Sequence, residues 1–190
     1  MPSLQALALK GVDIPQFLQA RGRVFTWSDA DQNDVVTGQT SFADTTPTFL
    51  IDVPAAYVFI PLMVSLTQTG TVAGGAIDII IEKDNADRYN TGGTTETGYN
   101  DYGQSLPTGF ALYSGATANA GYGVNLGRFK VGADVDTAEG AVNEVLWVPD
   151  RSLDYIEGPG AFLVYSYAAT TGPTFFWTIK GGVVPADWIH

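Results

Sequence analysis

Residues 48–83, TFLIDVPAAYVFIPLMVSLTQTGTVAGGAIDIIIEK, decide the fold class. Before Pro54, Phe49, Ile51 and Val53 alternate with Thr48 and Asp52. Beyond it, Val58, Ile60, Leu62, Val64 and Leu66 read as one uninterrupted apolar face. The opposite series starts bulky at Tyr57, Phe59 and Met63, then turns polar at Ser65, Thr67 and Thr69. After the small residues 70–75, Ile77, Ile79 and Ile81 alternate with neighbours that include Asp78 and Glu82. A period of two over this length predicts three strands, each with one face on a core.

The rest of the composition agrees with an all-β reading. The chain has 190 residues, of which 22 are glycine and only 15 % are charged, so a turn-rich single domain is expected. With no cysteine, disulfides, thiolate metal sites and a cysteine nucleophile are excluded. The formal net charge of −11 argues against a general binder of nucleic acid or anionic membranes, which needs clustered Lys and Arg. Residues 1–28 hold Lys10, Arg21 and Arg23 against Asp13, whereas residues 29–190 hold six basic and nineteen acidic residues. No apolar run reaches the roughly 18 residues of a membrane helix, and LQALAL after MPS does not read as a signal peptide.

Taken in order, residues 1–22 read as an N-terminal arm that is partly helical, and residues 23–190 as one antiparallel β-sandwich. Leu4, Leu7 and Leu9 can share a helical face, and a second short helix can start at Pro15 and carry Phe17 and Leu18. An apolar arm of this kind is expected to dock on a neighbouring subunit, because free leucines invite aggregation. Strands are expected at 23–27, 35–42, 144–148, 161–169 and 175–184. Between about 85 and 135 lies a Gly/Thr/Asn-rich insert in which only 110–113 and 124–131 read as strands. An insert this long in a compact domain is usually functional.

The candidate sites are few. Asp29, Asp31 and Asn33 match the first ligand positions of a calcium loop, but Asp34 and Thr40 stand where the turn Gly and the closing Glu belong. Turn acids also serve local backbone hydrogen bonds. The only histidine is His190, which argues against a Ser-His-Asp triad. Acidic residues are plentiful enough for a glycosidase pair, but Asp78 and Glu82 read as the solvent face of a strand. Trp27, Trp147 and Trp177 fall within strand alternation and read as core, whereas Trp188 reads as a C-terminal anchor between subunits. Tyr89, Tyr99, Tyr102 and Tyr122, in the insert, are candidate contacts for a glycan or host receptor. No cofactor is indicated, and the chain reads as non-enzymatic.

The run TSFADTTPTFLIDVPAAYVFIPLMVSLTQTGTVAGGAIDIIIEKDNADRY, residues 40–89, resembles the strand-forming core of bacteriophage virion structural proteins. The resemblance implies a jelly-roll sandwich in a capsid, self-association as trimers and contacts with other capsid proteins. At 190 residues the chain is small for a coat protein that must form a large shell alone, which favours a decoration, cement or minor capsid role. A glycan- or receptor-binding sandwich, of spike, fibre or carbohydrate-binding type, is the alternative.

Overall fold

The computed structural model describes residues 3–29, 34–69, 76–132, 143–149, 154–169 and 171–189. Two short helices, α1 (Leu4–Leu9) and α2 (Ile14–Ala20), precede β1 (Val24–Ser28) and the brief β2 (Val36–Thr37). The central strands are β3 (Phe49–Val53), β4 (Tyr57–Thr69) and β5 (Ala76–Asp84). The insert supplies β6 (Tyr89–Thr91), β7 (Thr94–Glu96), β8 (Ala111–Ser114), β9 (Thr117–Ala118) and β10 (Val124–Gly132). The chain then returns through β11 (Glu144–Trp147), β12 (Ile156–Glu157), β13 (Gly160–Ala168) and β14 (Thr174–Pro185), and a 3-10 turn follows at Ala186–Trp188.

Eight of these strands pair antiparallel in a nested series: β1 with β14, β3 with β13, β4 with β11, and β5 with β10. Cross-pairing of β14 with β4 and of β13 with β5 closes the sheet orders β1-β14-β4-β11 and β10-β5-β13-β3. A long hairpin rolled into two four-stranded sheets is a jelly roll. The insert widens the second sheet through β8 and β7, which add beside β3. The expected strand at 35–42 is shorter than its alternation suggests. Val36 and Thr37 pair with β14, but Gln39 already bridges to Tyr167 on β13, so the segment crosses between the sheets.

The core lies between the sheets. Phe49, Ile51, Ile77, Ile79 and Ile81 face Trp27, Val64, Leu66, Trp147 and Trp177 there. One expectation from the sequence fails in β4. Val58 through Leu66 do not share a face, because Leu62 is bulged out between the pairs Gly181–Pro61 and Lys180–Met63. One extra residue reverses the parity of every side chain beyond it. Phe59 thus joins Val64 and Leu66 in the core, while Val58 and Ile60 face outward.

Candidate functional site

Two surfaces carry most of the residues singled out from the sequence: the arm on the outside of the β1-β14-β4-β11 sheet, and the β6–β9 part of the insert on the outside of the other. In the arm, the Ser3 hydroxyl accepts from the Ala6 N–H at 3.2 Å, and the Asp13 carboxylate accepts from the Gln16 N–H at 2.9 Å. Pro15 sits in the first turn of α2, where its missing N–H costs nothing. Helices of six and seven residues are too short to persist alone, so packing must hold them. Leu4, Ile14 and Leu18 are buried against Val24, Val58, Ile60, Val184 and Ile189. Gly182 admits the arm: a Cβ there would sit 2.6 Å from Leu18 Cδ1.

The arm thus spends Leu4 and Leu18 on its own sandwich, where the sequence reading sent them to a neighbouring subunit. Leu7 and Phe17 are partly buried in the same cluster, and Leu9 is 90 % exposed. Trp188, expected between subunits, also packs within the chain. Its ring lies 6.3 Å from that of Phe17, and the Arg23 guanidinium stands 5.4 Å above it.

On the other sheet the insert folds back as a cover. Asp84 accepts from the Ala86 N–H and Asp87 from the Tyr89 N–H, both at 3.1 Å, and these Asx turns reverse the chain after β5. Arg88 is thereby carried under the β6–β9 ribbon, where it is 2 % exposed. Its Nε donates to the Asn119 carbonyl at 2.7 Å, one terminal nitrogen to Asp84 at 2.9 Å and the other to the Asp44 carbonyl at 2.9 Å. The Tyr165 hydroxyl donates to the same Asp44 carbonyl at 2.9 Å, and the Gly121 N–H to the Asp44 carboxylate at 3.0 Å. One guanidinium thus fastens the segments at Asp44 and Asn119 to the end of β5.

This cover corrects the reading of Glu82 as solvent-facing. The residue is buried, with Arg88 and the Gly123 N–H beside it. Burial raises its carboxyl above the ordinary range, and Arg88 partly offsets that. Burial likewise pushes the Tyr165 hydroxyl up to about 12. Asp52 is pushed up to about 6, by burial first and the charge of Asp87 second. Perturbed acids mark functional sites in enzymes, but a structural ionic network perturbs them equally. Here Arg88 and its partners are enclosed, and the arrangement works as a clasp. Asp78 is also partly shielded, with Lys130 at 3.6 Å and Arg128 at 3.8 Å.

The insert tyrosines do not converge. The Tyr89 ring stacks on Tyr113 at 4.2 Å between centroids, so one face of it is occupied. Tyr122 is 86 % exposed and lies in the same region, next to Gly121 and its bond to Asp44. Tyr99 and Tyr102 belong to the other sheet. Tyr99 exchanges both backbone hydrogen bonds with Thr26 of β1 at 2.8 Å, and Asn100 donates to the carbonyls of Gly22 and Val24. Their rings stand exposed at the root of the arm. The three strand tryptophans are buried, as the alternation predicts.

Two open depressions flank these features. One, of about 510 Å³, is lined by Lys83, Asn85, Tyr155, Glu157, Gly158 and Pro159. The other, of about 360 Å³, lies beside Phe42, Tyr167, Asp78 and Lys130. Asp31 and Asn33 lie outside the described residues, and only Asp29 of that set is described. Among the described residues, no three His, Cys, Asp or Glu side chains are grouped to hold a metal, and no helix is long and apolar enough to cross a membrane. Comparison of the chain with protein-family models, with curated proteins and with solved structures returns no match.

Proposed function

We propose that the chain is a non-enzymatic virion structural protein, a capsid decoration, cement or minor capsid component that works by contact with copies of itself and with other capsid proteins. The observation that carries this reading is the nested pairing of eight strands into the two sheets of a jelly roll. That architecture recurs in viral capsid proteins and in lectins. Fold alone does not fix function, so the surfaces must be weighed as well. The arm and the insert each lie over an outer sheet face, and the insert is fastened by a buried guanidinium rather than opened around a cleft. A protein that works by contact needs rigid, presented surfaces, and these features supply them.

The test is fractionation of particles by density from a culture that makes the protein, with detection by an antibody to this chain. The reading predicts co-banding with particles at a fixed copy number. Recovery only in the particle-free fractions would overturn it. The lectin branch of the same architecture is favoured by one observation, the exposed pair Tyr99 and Tyr102 beside Asn100. A glycan array that responds to the wild type and loses the response in Tyr99→Ala/Tyr102→Ala would favour it over the capsid reading.

A further inference from the structure

The outer face of the β1-β14-β4-β11 sheet is covered by the arm on one side of the Leu62 bulge, and among the described residues no part of the arm covers it on the other. The bare part is a grid whose rows are fixed by strand register. Phe176, Thr67 and Glu144 form one row; Thr178, Ser65 and Leu146 the next; Lys180 and Met63 the third. All point outward, because the residues between them, Trp177, Ile179, Val64, Leu66 and Val145, are in the core. Leu146 is 56 % exposed, Val148 just beyond β11 is 59 % exposed, and Phe176 is exposed as well. The grid carries one carboxylate and one ammonium on a chain of formal net charge −11.

Those two charges occupy opposite corners, Glu144 on β11 and Lys180 on β14, two strands and two rows apart. With strands about 4.8 Å apart and about 6.8 Å between alternate residues, the separation is roughly 17 Å, too far for a pair within one chain. Neither residue has an ion-pair partner among the described residues. We propose that this bare grid is a two-fold contact surface for a second copy of the chain, in which Glu144 of each copy meets Lys180 of the other. A two-fold axis lying in the face along the other diagonal, through Phe176 and Ser65, superposes the two charged corners within side-chain reach. It also sets the apolar residues on the axis against their own copies. Isologous contacts require this self-complementarity. Two strongly acidic chains repel except where the touching faces are neutral or complementary, and the grid is both.

At these spacings three strands by three rows cover roughly 300 Å², less than the roughly 800 Å² per partner of a standard interface. The contact is therefore weak for free chains and gains strength where many copies are held together, since tethering raises the effective concentration. The inference does not rest on the virion reading, because dimerisation is measured on the purified chain alone.

The experiment is sedimentation equilibrium over a concentration series with wild type, Lys180→Glu, Glu144→Lys, the double exchange, and an equimolar mixture of the two single variants. Wild type is expected to shift from monomer to dimer. Each single variant should weaken that association about tenfold or more, because like charges then face each other twice. Both the double exchange and the mixture should recover it. Thermal midpoints equal to wild type show that the exposed substitutions leave the fold intact. A monomer at every concentration, single variants that dimerise like wild type, a mixture that does not recover, or a trimer indifferent to all the changes would each overturn the proposal.

Discussion

Along β4 the outward side chains change character at the Leu62 bulge. Before it, Val58 and Ile60 lie under Leu4, Ile14 and Leu18 of the arm. After it, Met63, Ser65 and Thr67 face outward with nothing of the arm upon them. A strand covered on both faces must be apolar at successive positions, and Val58-Phe59-Ile60 is. A strand with one face open alternates, and Val64-Ser65-Leu66-Thr67 does. One strand thus divides into a part that completes the fold and a part the arm leaves open, which the proposed dimer would use.

Four substitutions would break or sharpen this contrast. The largest effect is expected where a cover is held by charge: Arg88→Ala removes the guanidinium from Asp84 and the Asn119 carbonyl, and leaves the Asp44 carbonyl only the Tyr165 hydroxyl. It should cost about 3–5 kcal/mol in urea unfolding, as breaking a buried ion pair does. Leu18→Ala empties a fully buried site under the apolar cover and should cost about 2–5 kcal/mol by the same measurement. A loss under about 1 kcal/mol there would mean the arm is not part of the fold.

Asp52 tests the second cover through pH. Its carboxyl binds a proton more tightly when folded, because its value is raised from 3.8 to about 6. The raised value therefore destabilises the fold at neutral pH, and stability returns as pH falls through 6 towards 4. Asp52→Asn should stabilise the protein at pH 7 and flatten that part of the stability profile. The change should be on the order of 1 kcal/mol, since the group keeps some contact with screening solvent. The smallest effect belongs to the bare grid. Leu146→Ala should alter stability by no more than about 0.5 kcal/mol and yet weaken dimerisation, the reverse of Leu18→Ala.

Much of this was legible in the residues. The alternation of Phe49, Ile51 and Val53 and of Ile77, Ile79 and Ile81 placed β3 and β5 on the core. The change from bulky to polar along Tyr57–Thr69 already marked the two parts of β4. The reversal at Leu62 was hidden, because a bulge is defined by what pairs across it and the partner Gly181 is 119 positions later. The docking of the arm was hidden for a similar reason. Gly181-Gly182 inside a strand pattern is the local sign of a close approach, but nothing in it names Leu18 as what approaches. The clasp is not visible in the sequence, because Arg88 reaches Asp44 and Asn119 in distant segments, and a lone Arg after a run of Asp reads as a solvated turn.

Because the chain has no cysteine, a single thiol reports one position. Ser65 lies at the centre of the bare grid, on the proposed two-fold axis, and packed sheet faces stand about 10 Å apart. Ser65→Cys treated with a bismaleimide of about that span should give a covalent dimer, and a control cysteine at exposed Thr95 of β7 should not. A Ser65→Cys chain that stays monomeric, or cross-links no better than the control, would contradict the division of β4 into a covered part and a contact part.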